Sequence, residues 1–404
     1  MARPWEFRLP TEIHFGRGVR KRMGKVAAEW GQRALLVGYR QCTPLEGPFC
    51  EAAENLAAAG LAVETFCELE GEPDWRLPLI GAERARGFAA DVVVGLGGGS
   101  VLDLAKGIAL LAKTGGQPWD YAGANRRGKP ADEALPIVAL PTTAGTGAEV
   151  TGVAVFTFEG KGATPETPLK ASIGGPALRP RAALVDSELA ESCLPRWTAA
   201  CGVDALAHAI EAHISRGANP LASTLALKAV GLLNHHLSAV AGGRAGAEEW
   251  DAVALAATLA GAAFNEAGVT VTHALAHALG AILDVPHGEA IALGTPLNLH
   301  FNAGSAAAPL AELADVCGIA SADTPQAERA AAFVDHVVAL LRGLGLPDRV
   351  EVESPPSEEL LEKLARNATA GTVVAVAMNP RRVQHATLVD LFRQLVKEGN
   401  PENM

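Results

Sequence analysis

The chain has 404 residues, 49% hydrophobic and 20% charged, with a formal net charge of -11 and a pI of about 5.5. That length exceeds one core, so two domains are expected, and the acidic balance argues against nucleic acid or an anionic membrane surface as partner. No run of 18 apolar residues suggests a membrane span and no apolar N-terminal stretch a signal peptide; six cysteines without C-x-x-C spacing read as reduced thiols of a cytoplasmic protein, mostly packed in its core.

The first half alternates strand and helix patterns. RALLV at 33–37 and LAVETF at 61–66 read as strands, with a helix-forming stretch at 51–60 between them that stops at a glycine. A helix at 81–90, the strand of DVVVGLGGGS at 91–100, a helix from 101 and the strand LPIVALPTT at 135–143 continue the series. Such alternation with short connections predicts a parallel sheet covered by helices. Segments 115–133 and 159–169 read as surface loops near a cleft mouth.

Two turns in this half carry chemistry. Gly97, Gly98 and Gly99 follow a strand and precede a helix, with Ser100 placed as N-cap and Asp103 as its capping-box partner. Side-chain-free backbone at a helix N-terminus is a phosphate cradle. GLGGGS falls one residue short of the G-x-G-x-x-G fingerprint; the competing reading is a tight turn that needs positive φ. The second turn runs from Pro141 to Gly147, after the next strand. Its Thr142, Thr143 and Thr146 either contact phosphate or the nicotinamide amide, or merely close the turn.

Beyond Ser187 strand patterns nearly vanish, and Ala/Leu-rich helices are expected near 220–241, 248–266, 271–283, 306–316, 326–344, 357–370 and 384–398. The fold is therefore read as an α/β N-terminal dinucleotide-binding domain over 1–187 and an all-α C-terminal domain over 188–404. In the first of these helical segments Asp204 and His208 stand four apart, on one face. The common explanation of such a pair is a local side-chain contact with Asp204 capping a helix. A second pair, His273 and His277, has the same spacing, and His287 follows Pro286 where the chain is expected to leave that helix. Together these residues offer one carboxylate and several imidazoles, a set suited to Fe(II) or Zn(II) rather than Mg or Ca. Spacing alone would pair His273 with His277. His213 lies off the Asp204–His208 face, His235 and His236 point apart, and His14, His300, His336 and His385 are isolated.

At this point the chain resembles the iron-containing (group III) alcohol dehydrogenase family over nearly its full length. The residues that carry the resemblance are PTEIHFGRGV, GLGGGSVLDLAKGIA, PTTAGTGAEVT, DALAHAIEAH, HALAHALG, VPHGEA and MNPRR, in the family's order. The resemblance implies two domains with the active site in the cleft between them, and a homodimer. It implies metal ligands at Asp204, His208, His273 and His287, and moves His277 to a proton-relay or orienting role beside the substrate. It implies dinucleotide contacts at Gly98, Gly99, Ser100, Thr142, Thr143, Thr151 and Lys170. Where NAD-preferring members carry an Asp after the strand like ALLV, this chain carries Tyr39, followed by Arg40. The missing acid leaves room for a 2'-phosphate, which Arg40 is able to pair, so the cofactor reading leans to NADP(H) with NAD(H) open. The implied reaction is reversible hydride transfer between nicotinamide and a small alcohol, aldehyde or hydroxy acid whose oxygen is bound by the metal. A metal- and NAD-dependent lyase of the dehydroquinate synthase type is the alternative, and a helical metal-binding or hydrolytic domain without redox chemistry is a remoter one.

Overall fold

The computed structural model describes residues 4–41, 44–160, 167–321 and 323–399. In the first part, β1 (Glu12–Phe15) leads to α1 (Met23–Ala28), β2 (Arg33–Tyr39), α2 (Glu46–Ala58), β3 (Ala62–Leu69), α3 (Leu77–Phe88), β4 (Val92–Gly97), α4 (Gly99–Thr114) and β5 (Ile137–Pro141). An antiparallel hairpin of β6 (Val153–Phe158) and β7 (Leu169–Gly174) intervenes before β8 (Ala182–Val185). The six-stranded sheet has the order β1-β8-β5-β4-β2-β3, and every pairing in it is parallel. A strand covered by helices on both faces needs an unbroken apolar run. β4 supplies one, and all its residues are buried. β3 lies on one side of β2, whereas β4 and β5 lie on the other. The connections therefore diverge at the carboxyl ends of β2 and β4, where a parallel sheet opens a crevice for a ligand.

The second part is helical: α5 (Ser187–Ala190), α6 (Pro195–Ile214), α7 (Pro220–Ala241), α8 (Ala247–Ala267), α9 (Val271–Leu283), α10 (His287–Asn302), α11 (Ala307–Val316) and α12 (Gln326–Gly343). After β9 (Val350–Val352) come α13 (Glu358–Gly371), α14 (Val373–Met378), α15 (His385–Leu395) and β10 (Val396–Glu398). α6 opens on Pro195, a residue whose fixed φ suits a first helical turn. Its alanines allow α7, α8 and α10 to close on it, so that its last three turns are almost wholly buried. α9 is likewise buried from Val271 to Leu279, with alanine at 274, 276 and 278.

The second part is the helical domain expected, with one addition, the short parallel pair of β9 and β10; three-residue strands are too short to leave a period-2 signal. Three other expectations need correction. The hairpin of β6 and β7 was not anticipated, and Leu169 opens a strand instead of closing a loop; residues 161–166 of that expected loop lie outside the described residues. His287 does not sit at the exit of the preceding helix but opens α10, a helix the sequence reading omitted. The cysteines are not mostly core residues: Cys50 is exposed, Cys67, Cys193, Cys201 and Cys317 are half-buried, and Cys42 lies outside the described residues.

The two parts are tied together by side chains. Arg179 Nη2 lies 2.5 Å from Glu266 Oε1, and the Gly152 N–H donates to Asn265 Oδ1 at 2.9 Å. Among the described residues no single helix is long and apolar enough to cross a membrane. α8 and α9 reach that length only as a pair bent by 102°, and both bury their apolar faces in the helical core.

Candidate active site

The glycine turn sits at the crevice. α4 begins at Gly99, and Gly98 at its N-cap position is extended, with φ -70° and ψ -175°. None of Gly97, Gly98 and Gly99 has positive φ, so the conformational explanation of this cluster fails. Close approach explains it instead. A Cβ on Gly97 would lie 2.4 Å from Val101 Cγ2, one on Gly98 3.0 Å from the Tyr39 hydroxyl, and one on Gly99 2.6 Å from Thr146 Cγ2. The turn is thus a helix N-terminus stripped of side chains and walled by Tyr39, Thr143 and Thr146, with the Gly98 backbone hydrogen-bonded to Tyr39; first-turn N–H groups of such a terminus suit an anion.

The predicted capping box does not form. No side chain caps α4, and Ser100 lies inside its first turn. Asp103 Oδ2 instead accepts the Val155 N–H at 2.9 Å, which anchors the hairpin, while Lys106 faces its other oxygen at 3.8 Å. Thr146 Oγ1 accepts the Ala148 N–H, and the Thr142 N–H donates to the Gly97 carbonyl, so both close their turn as well as lining it. Thr151 Oγ1 accepts from Lys106 Nζ at 3.2 Å, inside the protein. Lys170 is buried and ion-paired with Glu72. Burial lowers Lys106 to about 8 and raises Asp103 to about 6, and Asp103 also feels the charges of His287 and Glu72. The start of α4 therefore lies within electrostatic reach of the histidine cluster.

α6 and α9 build that cluster. Asp204, His208 and His273 are all buried, with one ligand-capable atom from each lying within 4.8 Å of the others. Asp204 Oδ1 is 3.6 Å from His208 Nδ1, 3.5 Å from His273 Nε2 and 3.6 Å from His287 Nε2. His208 Nε2 and His273 Nε2 approach to 2.9 Å, and the His208 ring stacks on Phe264 at 4.1 Å. His287 sits more openly at the first residue of α10, outside the tightest trio. Gly288 brings it there: a Cβ at that position would lie 2.7 Å from the Ala200 carbonyl of α6. Asp204 stands in the middle of α6, so the capping explanation of the Asp204–His208 pair does not apply.

The electrostatics suit a cation. Asp204 Oδ1 and His208 Nδ1 are buried with no hydrogen-bond partner, an arrangement that costs free energy unless something binds there. Burial would raise Asp204, but the His208 charge and the His273 and His287 imidazoles that face it outweigh burial and hold the carboxyl well below its usual range. Burial drives His208 down to about 4. It opposes protonation of His273 too, yet Glu211 and Asp204 on either side lift that imidazole to about 9. The donor set of one carboxylate and imidazoles fits a divalent ion of the iron or zinc kind.

His277 stands beside this cluster with its ring centroid 5.7 Å from that of His287. Burial, followed by the charges of His287, Lys170 and His273, holds it well below its ordinary value, so it is neutral. The Lys170 backbone carbonyl partners one side of the ring, and Nδ1 is buried without a partner.

The sequence reading missed Glu211, the carboxylate behind His273. It lies seven residues after Asp204 and three after His208, a spacing that repeats the same helical face, so the signal was present. Phe264 and Asn298 offered no such signal.

The profile of the family described as "Iron-containing alcohol dehydrogenase" matches residues 10–187, and that of its C-terminal domain matches residues 198–396. The chain is 33% identical over 397 residues to the NAD-dependent methanol dehydrogenase of Bacillus methanolicus, covering 97% of this chain and 99% of that one. Among solved structures, an archaeal halo-thermophilic alcohol dehydrogenase from a Red Sea brine pool aligns with a TM-score of 0.89 at 29% identity, over 98% of this chain and 99% of that one. The sulfoacetaldehyde reductase of Bifidobacterium kashiwanohense, solved in complex with NAD+, aligns with a TM-score of 0.82 at 28% identity, over 98% and 99%. The chain belongs to the iron-containing alcohol dehydrogenase family and is a nicotinamide-linked oxidoreductase that interconverts alcohols and aldehydes.

Proposed function

We propose that Asp204, His208, His273 and His287 hold the metal of this dehydrogenase, Fe(II) in preference to Zn(II), and that the dinucleotide lies over the turn of Gly97, Gly98 and Gly99. The observation that carries the reading is the convergence of a buried, unpartnered Asp204 oxygen with the His208 and His273 nitrogens. When bound, the metal supplies Lewis acidity at the substrate oxygen, and the nicotinamide supplies the hydride carrier.

The chain's own residues do the rest. The bare start of α4 receives the pyrophosphate, Tyr39, Thr143 and Thr146 wall it, and Ser100 and Thr142 complete that lining. Asp103, Thr151 and Lys170 hold the floor between this turn and the metal. Asp103 secures the hairpin backbone, Thr151 is fixed by Lys106, and Lys170 is fixed by Glu72 and lies under His277. His277 accepts or returns the proton at Nδ1, the buried nitrogen without a partner. A neutral imidazole is the form that this role needs.

For the cofactor, the lean toward NADP(H) gives way to NAD(H). Arg40, the residue reserved for a 2'-phosphate, is paired with Glu68 at 2.8 Å and Glu70 at 3.0 Å. Those two acids outnumber it and oppose a further phosphate. We place the domain boundary at 187/188, supported by the end of the sheet at Val185. A homodimer is supported by β1, an edge strand of the sheet that exposes Ile13 and Phe15. Cytoplasmic residence is supported by the free thiols of Cys50, Cys193, Cys201 and Cys317.

The test is a panel of alcohols and aldehydes with both cofactors, on protein loaded separately with Fe(II) and Zn(II). His287→Ala should lose metal and activity while binding dinucleotide normally; full metal stoichiometry in that variant would refute the ligand set. Net NAD(P)H production with a simple alcohol excludes the lyase alternative, which uses NAD only transiently.

A further inference from the structure

We propose that Glu211 is a positioning residue of the metal centre: it fixes the tautomer of His273 and provides the second negative charge that balances a divalent ion. The inference rests on the ligand reading above.

Glu211 lies on the same face of α6 as Asp204 and His208, one turn beyond His208, and is 1% exposed. Its two oxygens are used differently. Oε1 accepts from Thr270 Oγ1 at 2.5 Å, from the Thr272 N–H at 3.0 Å and from Asn298 Nδ2 at 3.1 Å. Oε2 faces His273 Nδ1 in a short hydrogen bond. A carboxylate only accepts, so Nδ1 keeps its proton, and in the neutral ring that ligation requires the Nε2 lone pair is left toward Asp204 and His208. That is the tautomer a ligand needs, and a second carboxylate behind a ligating imidazole also raises its basicity. The charges close as well. Asp204 and Glu211 are the two buried carboxylates of this cluster, and once the imidazoles are neutral ligands the two charges offset one divalent cation among buried side chains.

A competing role for Glu211 is structural. The Thr272 N–H is an unsatisfied amide at the start of α9, so the carboxylate also caps that helix. Glu211→Gln separates the two roles. The backbone N–H of Thr272 and the Nδ2 group of Asn298, whose Oδ1 is taken by Asn302, only donate, which directs the Gln carbonyl oxygen to their side and keeps the cap. The Gln NH2 is then turned on His273 Nδ1, which must become an acceptor. The ring proton moves to Nε2, where it blocks ligation.

The experiment compares wild type, Glu211→Gln and Glu211→Asp as apo and Zn(II)-loaded full-length protein. Metal affinity is read by competition with a chromophoric chelator, and the His273 tautomer by long-range 1H–15N correlation on histidine-labelled protein. Glu211→Gln should bind Zn(II) about 10²-fold more weakly, at or beyond the upper end of the usual effect of such partners. Its apo melting temperature and NAD binding should stay close to wild type. Glu211→Asp, which keeps the acceptor and the charge, should recover part of the loss. Zn(II)-loaded wild type should carry the His273 proton on Nδ1, a readout that decides the matter even if Glu211→Gln does not fold. The inference is overturned by wild-type Zn(II) affinity in Glu211→Gln, by a melting temperature that falls equally with and without metal, or by a proton on Nε2 in wild type. Wild-type protein that takes up no metal would sink the ligand reading first, and this inference with it.

Discussion

The glycine turn at the start of α4 and the histidine cluster of α6, α9 and α10 are built by opposite means. The turn works by what it lacks. Three glycines strip the start of α4 of side chains, and Tyr39 and Thr146 stand so close that a Cβ would collide with them. The cluster works by what it concentrates: Asp204, His208 and His273 bring charge into a core where each polar atom must find a partner. A backbone site should therefore be damaged by added volume and indifferent to charge, and a side-chain site the reverse.

The largest effect should come from Asp204→Asn. The change is nearly isosteric, yet it removes the one carboxylate that three imidazoles share and turns amide hydrogens toward them. Metal affinity should fall by more than about 10²-fold, beyond the loss usual for an outer partner, and alcohol oxidation should fall with it. Dinucleotide affinity, measured by fluorescence titration, should stay within about threefold, or roughly 0.7 kcal/mol. Loss of both bindings together would mean that the two sites are not independent, and the contrast drawn above would collapse.

The mirror experiment is Gly99→Ala. Alanine is the better helix former, so propensity alone predicts a gain in stability. The added Cβ, however, would meet Thr146 Cγ2 at 2.6 Å, and a β-branched side chain has little freedom to yield. The dissociation constant for NAD should rise by about tenfold or more, equivalent to about 1.4 kcal/mol, with metal content unchanged. Unchanged dinucleotide affinity would show that the cofactor does not depend on this turn.

The same contrast explains what the sequence could disclose. Asp204, His208 and His273 were legible because helical period places chemically distinctive side chains on one face. Glu211 had the same signature and was passed over because it follows the pair instead of completing it. The role of the glycines was only half legible. A GGG run marks a turn, but whether it serves positive φ or close approach depends on Tyr39 and Thr146, which are remote in sequence. Asp103 was misread for a related reason: its capping-box spacing from Ser100 is correct, but β6 offers the Val155 N–H to it and wins the carboxylate. The short strands β9 and β10 and the helix opened by His287 were hidden because length and periodicity are weakest in short or proline-bounded segments.

A change at the junction should weaken both sites alike. Arg179 joins the first part of the chain to Glu266 on α8 and also donates to the Arg8 carbonyl at 2.8 Å. Arg179→Ala leaves Glu266 poorly solvated, with Asn265 as its remaining partner at 2.7 Å. A cost of about 1–3 kcal/mol is expected, less than for a fully buried pair because both groups keep some solvent contact. Thermal unfolding should show one transition at lower temperature. Two separated transitions would instead mean that this pair makes the parts cooperative.

The smallest effect should lie at the cofactor's outer end, where charge acts in solvent and neither building method applies. Glu68 and Glu70 are exposed, and so is the Arg40 that they hold. Replacing both acids with glutamine frees the guanidinium and removes two negative charges from the place a 2'-phosphate would enter. Exposed pairs are worth only about 0–1 kcal/mol each, so the ratio of kcat/KM for NADP over NAD should rise by no more than about tenfold. The gain should shrink as ionic strength increases, because screening over about 8–10 Å reaches this surface. Salt-independent specificity would locate discrimination elsewhere, at Tyr39, whose hydroxyl packs on Gly98. In that case even the outer end of the cofactor site would be governed by shape, and the division between a site of volume and a site of charge would run along the whole cleft.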